Sequence, residues 1–165
     1  MIKKLLVIKS KSLEQQLKEF GVVNYLDLEK VKDVIETPKK DYYIENVSDG
    51  SDMLGKSPDD CNKIFKEQGR RGLTIYEGLA LLRDNPDILK DHYIDLSGSR
   101  YGSGSVPSLD LFDFRPELSF SNSGIANSRF GSASCGSKLG SRDLETLETL
   151  PNILIINGIK YEKIS

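Results

Sequence analysis

The chain has 165 residues, 38% hydrophobic and 29% charged, with a formal net charge of -2. That balance fits one folded core and excludes a disordered polar chain. So small a charge gives no global field for a polyanion or an anionic membrane, so a nucleic-acid contact needs a local patch. Two cysteines, Cys61 and Cys135, and one histidine, His92, are too few for a disulfide framework and suggest no metal site or cofactor.

The opening Met1-Ile2-Lys3-Lys4-Leu5-Leu6-Val7-Ile8-Lys9 imitates the head of a signal peptide. Its apolar run, Leu5 to Ile8, is far too short for one, and no stretch elsewhere is long enough to span a bilayer, so it reads as a strand of a cytoplasmic protein. Ser12 with Gln15 has capping-box spacing, and Leu13, Leu17 and Phe20 then line one helix face before Gly21. Asp27 caps a second expected helix, with Leu28, Val31, Val34 and Ile35 at helical spacing up to Pro38. Tyr42-Tyr43-Ile44 reads as a strand. Ser57-Pro58-Asp59-Asp60 starts a helix that buries Cys61, Ile64 and Phe65, and Thr74 with Glu77 starts another that buries Ile75, Leu79 and Leu82. Asn85-Pro86 begins a short turn through Ile88 and Leu89.

From Ser97 to Ser141 the composition changes, with 20 of 45 residues Gly or Ser, as in a flexible linker. Linkers do not carry Leu109, Leu111, Phe112, Phe114, Leu118 and Phe120 in alternating runs around Arg115-Pro116, so short strands joined by glycine-bearing turns are expected. A short helix with Leu144 and Leu147 follows. Asn157-Gly158 between two apolar runs then signals a terminal hairpin, since both central residues of a type I′ turn need positive φ. The expected fold is therefore a single α+β domain over residues 1–165. It has an N-terminal strand, several short amphipathic helices in a mainly helical part (1–96), a Gly/Ser-rich short-strand segment (97–141), and a short helix plus β-hairpin (142–165).

Three strings carry candidate chemistry. Gly50-Ser51-Asp52-Met53-Leu54-Gly55-Lys56-Ser57 matches the phosphate-loop pattern G-x-x-x-x-G-K-S/T and resembles P-loop nucleotide-binding proteins over those eight residues. There, Gly50 and Gly55 would let backbone N–H groups wrap a phosphate, Lys56 would reach it, and Ser57 would hold magnesium. Pro58 removes a donor from the opening helical turn, Asp52, Asp59 and Asp60 crowd any anion, and no long apolar strand ending in Asp follows. The plainer reading is a polar turn leading into a capped helix.

Ser99-Arg100-Tyr101-Gly102-Ser103 recurs as Ser128-Arg129-Phe130-Gly131-Ser132. Each unit joins a guanidinium, a ring and a pliable backbone, which suits a protein partner, single-stranded nucleic acid or another phosphorylated partner contacted through Arg100, Tyr101, Arg129 and Phe130. Asp110, Asp113 and Glu117 offset that charge. The competing reading puts the rings in the core and pairs the arginines with carboxylates. Finally, Cys135 lies in the small-residue run Gly131 to Ser137 and could pair with His92 as a thiol nucleophile, with Asp91 or Asp95 orienting the ring. The competing reading is a buried turn cysteine and a histidine at a helix end.

Gly72-Leu73-Thr74, Glu77-Gly78-Leu79-Ala80-Leu81, His92 to Leu96, Gly98 to Tyr101 and Gly131 to Ser137 resemble segments of small uncharacterised bacterial proteins. That resemblance implies a bacterial or phage origin and a cytosolic setting, and brings no activity with it. The expectation is a non-enzymatic binding or adaptor domain acting through the Gly/Ser-rich segment. A nucleotide-binding enzyme using Gly50 to Ser57 is the alternative, and a Cys135 thiol enzyme a weaker one.

Overall fold

A computed structural model describes residues 1–137 and the backbone of residues 153–156 and 159–162. The N-terminal run forms β1 (Ile2–Val7), with Leu5 and Val7 buried, and pairs antiparallel with β4 (Tyr42–Val47). Three helices start at their sequence signals. Ser12 accepts the Gln15 N–H ahead of α1 (Leu13–Glu19), and Ser57 accepts the Asp60 N–H ahead of α2 (Pro58–Glu67). Thr74 and Glu77 close a reciprocal capping box on α3 (Ile75–Asp84). Each cap satisfies an N–H that the first turn leaves open.

The helix expected from Leu28 to Ile35 does not form. Asp27 caps only a single 3-10 turn, Leu28–Lys30, and the chain then extends as β3 (Val31–Asp33), antiparallel to β7 (Ser99–Tyr101). The β-branched Val31 loses less rotamer freedom in an extended chain than in a helix, and β7 supplies the backbone partners that a helix would have made locally.

The main sheet has seven strands. Its centre is β8 (Ser105–Phe112), flanked on one edge by β6 (Tyr93–Asp95) and β7 and on the other by β9 (Arg115–Asn122). β10 (Phe130–Ser132) adds to β6 in parallel, and β2 (Val23–Asn24) adds to β9 in parallel. β5 (Arg70–Gly72) pairs antiparallel with β11 (Ser134–Gly136), which a bridge from Ser48 to Ser134 ties to the end of β4. All three α-helices of the described residues lie before residue 96. β12 (Ile153–Ile156) and β13 (Ile159–Glu162) pair antiparallel from Ile156↔Ile159, as a two-residue connection requires. The Asn157-Gly158 turn and the expected helix at Leu144 and Leu147 lie outside the described residues. No described helix is long and apolar enough to cross a membrane.

Side chains alternate between the two faces of each strand. Ile94, Leu109 and Leu118 come together on one face and join Leu17, Leu79, Leu82 and Ile88 in the principal core, under α1 and α3. The opposite face receives α2, with Asn62 bonded to Ser97 and Asp59 to Arg100. Met53, Cys61 and Phe65 form a small second core there.

Where short strands and glycine turns were expected around Arg115-Pro116, β8 and β9 are eight residues each, in unbroken register. Their turn is Asp113-Phe114, with φ of 50° and 63°. Two left-handed residues match the right-handed twist of a hairpin, but a bulky ring at such a position costs about 1–2 kcal/mol. Phe114 is also 92% exposed.

Candidate functional site

The face beneath and beyond α2 carries two adjacent rows of side chains, fixed by strand register. In the inner row Ser132 is opposite Asp95, Asp95 opposite Ser108, and Ser108 opposite Ser119. In the outer row Phe130 is opposite Tyr93 and Asp110 opposite Glu117, and one further step of the β6–β8 register places Tyr93 beside Asp110. The Tyr93 hydroxyl donates to Leu111 O at 3.3 Å, consistent with that step.

The inner row is buried, with Ser132, Ser108 and Asp95 at most 2% exposed, whereas Tyr93, Asp110, Glu117, Ser119 and Phe130 of the two rows are half-buried. Among the described residues, four buried side-chain oxygens have no nitrogen or oxygen hydrogen-bond partner: Asp95 Oδ1, Ser108 Oγ, Asp110 Oδ1 and Ser132 Oγ, the last with only the Cys61 thiol beside it. All four belong to these two rows. A buried acceptor without a partner costs about 1–3 kcal/mol, so their concentration on one patch calls for an explanation.

Burial raises Asp95 to about 6, against a single opposing hydrogen bond from Ser121. Asp110 is raised to about 6, first by burial and then by the Glu117 carboxyl, to which it is hydrogen-bonded. Two carboxyls this close resist double ionisation. The Tyr25 phenol, raised chiefly by the Glu117 charge, also hydrogen-bonds Glu117. At the other end of the row the Tyr93 and Phe130 rings meet edge to face at 5.2 Å, and the Arg129 guanidinium lies 4.8 Å over Tyr93. The patch therefore runs from an aromatic, cation-capped end to an acidic end, floored by serines. Such a surface offers hydrogen-bond acceptors and apolar ring area, and it repels anions. Among the described residues no group of three or more His, Cys, Asp or Glu is placed to hold a metal ion.

The Ser-Arg-aromatic-Gly-Ser units are not brought together as one basic patch, since β10 pairs with β6 while β7 pairs with β3 and β8. Arg100 reaches Asp59 at 3.2 Å, and Tyr101 stacks on Phe120 at 5.2 Å while its hydroxyl accepts the Asp27 N–H. Of the four residues named from sequence, Arg129 and Phe130 lie at the end of the two rows, and Arg100 is on the same sheet face but paired with Asp59 of α2.

The Gly50–Ser57 string wraps the edge of β10. The Met53 N–H goes to Gly50 O, Gly55 N–H to Phe130 O, Lys56 N–H to Met53 O and Ser51 N–H to the Asp49 carboxylate, while Ser57 Oγ caps α2. Gly50 has φ 89°, and a Cβ there would sit 2.6 Å from Gly131 O. As folded, these groups serve the chain's own packing, and the preceding β4 belongs to an antiparallel pair rather than a parallel sheet.

Cys135 and His92 have different neighbours. Cys135 is fully buried opposite Arg71, and burial pushes its thiol up to about 12 despite that cation. The His92 Nε2 lies 2.7 Å from Asp49 O. Beside Cys135, the buried Glu77 binds Arg71 through both oxygens at 2.7 Å, accepts the Tyr42 hydroxyl at 2.8 Å and accepts the Thr74 N–H at 2.9 Å.

Sequence reading named Asp95 only as a possible orienter of His92 and Asp110 only as an offsetting charge, and it passed over Ser108 and Ser119, because it took the alternation with Leu109, Leu111 and Leu118 as a sign of strands and not of a polar face. The available signal was that strict alternation, which puts every polar residue of Ser108 to Phe112 and Arg115 to Ser121 on one face. No curated protein and no solved structure matches the chain. A family model does match, over residues 5–119, a span that contains Asp95, Ser108, Asp110 and Glu117 and stops before β10, and the chain belongs to that family, a family of unknown function (DUF5701).

Proposed function

We propose that this protein is a non-enzymatic binding domain that receives its partner on the two-row face, with Tyr93, Asp110, Glu117, Ser119 and Phe130 making first contact. The observation that carries this reading is that the four unpartnered buried oxygens of the described residues fall in those two rows. The half-exposed acceptors Asp110, Glu117 and Ser119 suit a ligand rich in donors, whether hydroxyl, amide or ammonium, and the carboxyls weigh against phosphate or a nucleic-acid strand. The ring pair of Tyr93 and Phe130 favours a ligand with an apolar edge next to its donors. Ligand-carrying faces on rigid strands hold their side chains in place, so binding needs little reorganisation.

The test is a chemical-shift titration with small polyols, amides, primary amines and inorganic phosphate. The expected outcome is that donor-rich probes move the signals of Tyr93, Asp110, Glu117, Ser119 and Phe130, that phosphate does not, and that Glu117→Gln with Asp110→Asn removes the response. Donor-rich probes that perturb only other surfaces, or phosphate outcompeting them here, would refute the reading.

A further inference from the structure

The tip of the β8–β9 hairpin combines two unfavourable features at one residue. Phe114 is held at φ 63°, where glycine is at ease and a ring is strained, and it is 92% exposed; Phe112 beside it is 69% exposed. Strain and exposure maintained together at a rigid turn point to use rather than to packing.

Two residues further along, Pro116 forms one wall of an apolar depression of about 220 Å³, completed by Phe20, Leu82, Arg83 and Pro86. A cavity of about 150 Å³ admits a benzene ring, so this one has room for a phenyl group. Phe114 does not occupy it, being almost wholly exposed. Ring and depression thus lie on the same end of the same hairpin, and their charges also correspond. Asp113 adjoins the ring, and Arg83, which donates to Leu6 O and shares its charge with Asp41, lines the depression.

A surface that carries both a projecting group and its matching recess, close together, is self-complementary under a two-fold axis, and two copies then satisfy one another with no surface left over to propagate. We propose that this hairpin tip is a self-association surface, in which Phe114 of each copy enters the Phe20–Leu82–Pro86–Pro116 depression of the other and Asp113 meets Arg83 across the axis. Each aromatic ring contributes roughly 150–250 Å² of buried surface. Two rings, roughly 300–500 Å², with a similar area of the walls they cover, reach at most about 1,000 Å², the lower bound for lasting interfaces. The dimer is accordingly weak, with a dissociation constant on the order of 0.1 mM.

Sedimentation velocity on the full chain from about 10 µM to about 1 mM brackets that constant. The wild type is expected to show a weight-average sedimentation coefficient that climbs with concentration toward the dimer value. Phe114→Gly stays at the monomer value throughout, with an unfolding temperature equal to or above that of the wild type, because glycine suits the left-handed position. Asp113→Asn, also compatible with the turn, weakens association several-fold. A wild type that remains monomeric over the whole range overturns the proposal, as does a Phe114→Gly variant that associates as strongly as the wild type. Because these substitutions lie outside the two rows, neither result depends on the ligand reading.

Discussion

Asp95→Asn isolates the electrostatic cost of the inner row. The folded protein raises the Asp95 carboxyl from 3.8 to about 6, so the native state holds this proton more tightly than the unfolded chain does. The sign follows: below about pH 4 the group is protonated in both states and costs nothing. Between pH 4 and 6 the unfolded chain releases its proton first and native stability falls, and above 6 the full penalty stands. Two pH units correspond to about 3 kcal/mol, and this carboxyl is buried enough for most of that to be felt. Urea unfolding of wild type and Asp95→Asn at several pH values between 4 and 8 provides the measurement. The stability difference in favour of the variant is expected to grow by about 2–3 kcal/mol across that range, whatever its value at the acid end. A difference that stays flat with pH would refute the reasoning, because it would mean that Asp95 titrates alike in folded and unfolded chains.

Glu77→Gln should lower stability by about 3–5 kcal/mol at pH 7, since it strands the largely buried Arg71 guanidinium without its counter-charge. Burial alone would raise Glu77, but the Arg71, Thr74 and Tyr42 contacts outweigh it and hold the carboxyl below its usual 4.5. Its stabilisation is therefore present above that pH and lost on acidification, and chemical denaturation at pH 4 and 7 should show the gap between wild type and variant shrinking at the lower value. Gly131→Ala should cost about 2–3 kcal/mol by the same assay, because its Cβ would overlap the Gly50 carbonyl where two backbones meet. Thermal unfolding with millimolar Mg-ATP should leave the midpoint of wild type and of Lys56→Ala unchanged. A rise of several degrees in the wild type alone would show that the Gly50–Ser57 loop opens to take a phosphate.

Local signals with a mechanism of their own were the ones legible in the sequence. The caps at Ser12, Ser57 and Thr74 predict three helix starts because each hydroxyl answers an N–H within three residues, and Asn157-Gly158 predicts a hairpin whose strands begin one residue to either side. The segment from Leu28 to Ile35 misled because helical spacing of apolar residues says nothing about a distant strand, and β7 lies about 70 residues away. The phosphate-loop match was a pattern of residue types, and of its two glycines Gly50 serves the close approach to Gly131. The site itself was the least legible part. Asp95, Ser108 and Ser132 come from three separate stretches, and only register between strands makes them one row.

The contact between Gly50 and Gly131 belongs to a wider circumstance: β10 and β11 are the last strands made within residues 1–137, and they join β6, β5 and the end of β4. A ribosome-bound chain that has emerged only to residue 119, the end of the family match, would leave the outer edge of β6 unpaired and Ser132 missing from its row. Closure of the fold waits on the synthesis of residues 130 to 136, and long-range pairing of this kind forms slowly. The unpaired edge is then a hazard during translation, and a nascent chain stalled before residue 130 should be bound by chaperones far more than one released beyond it.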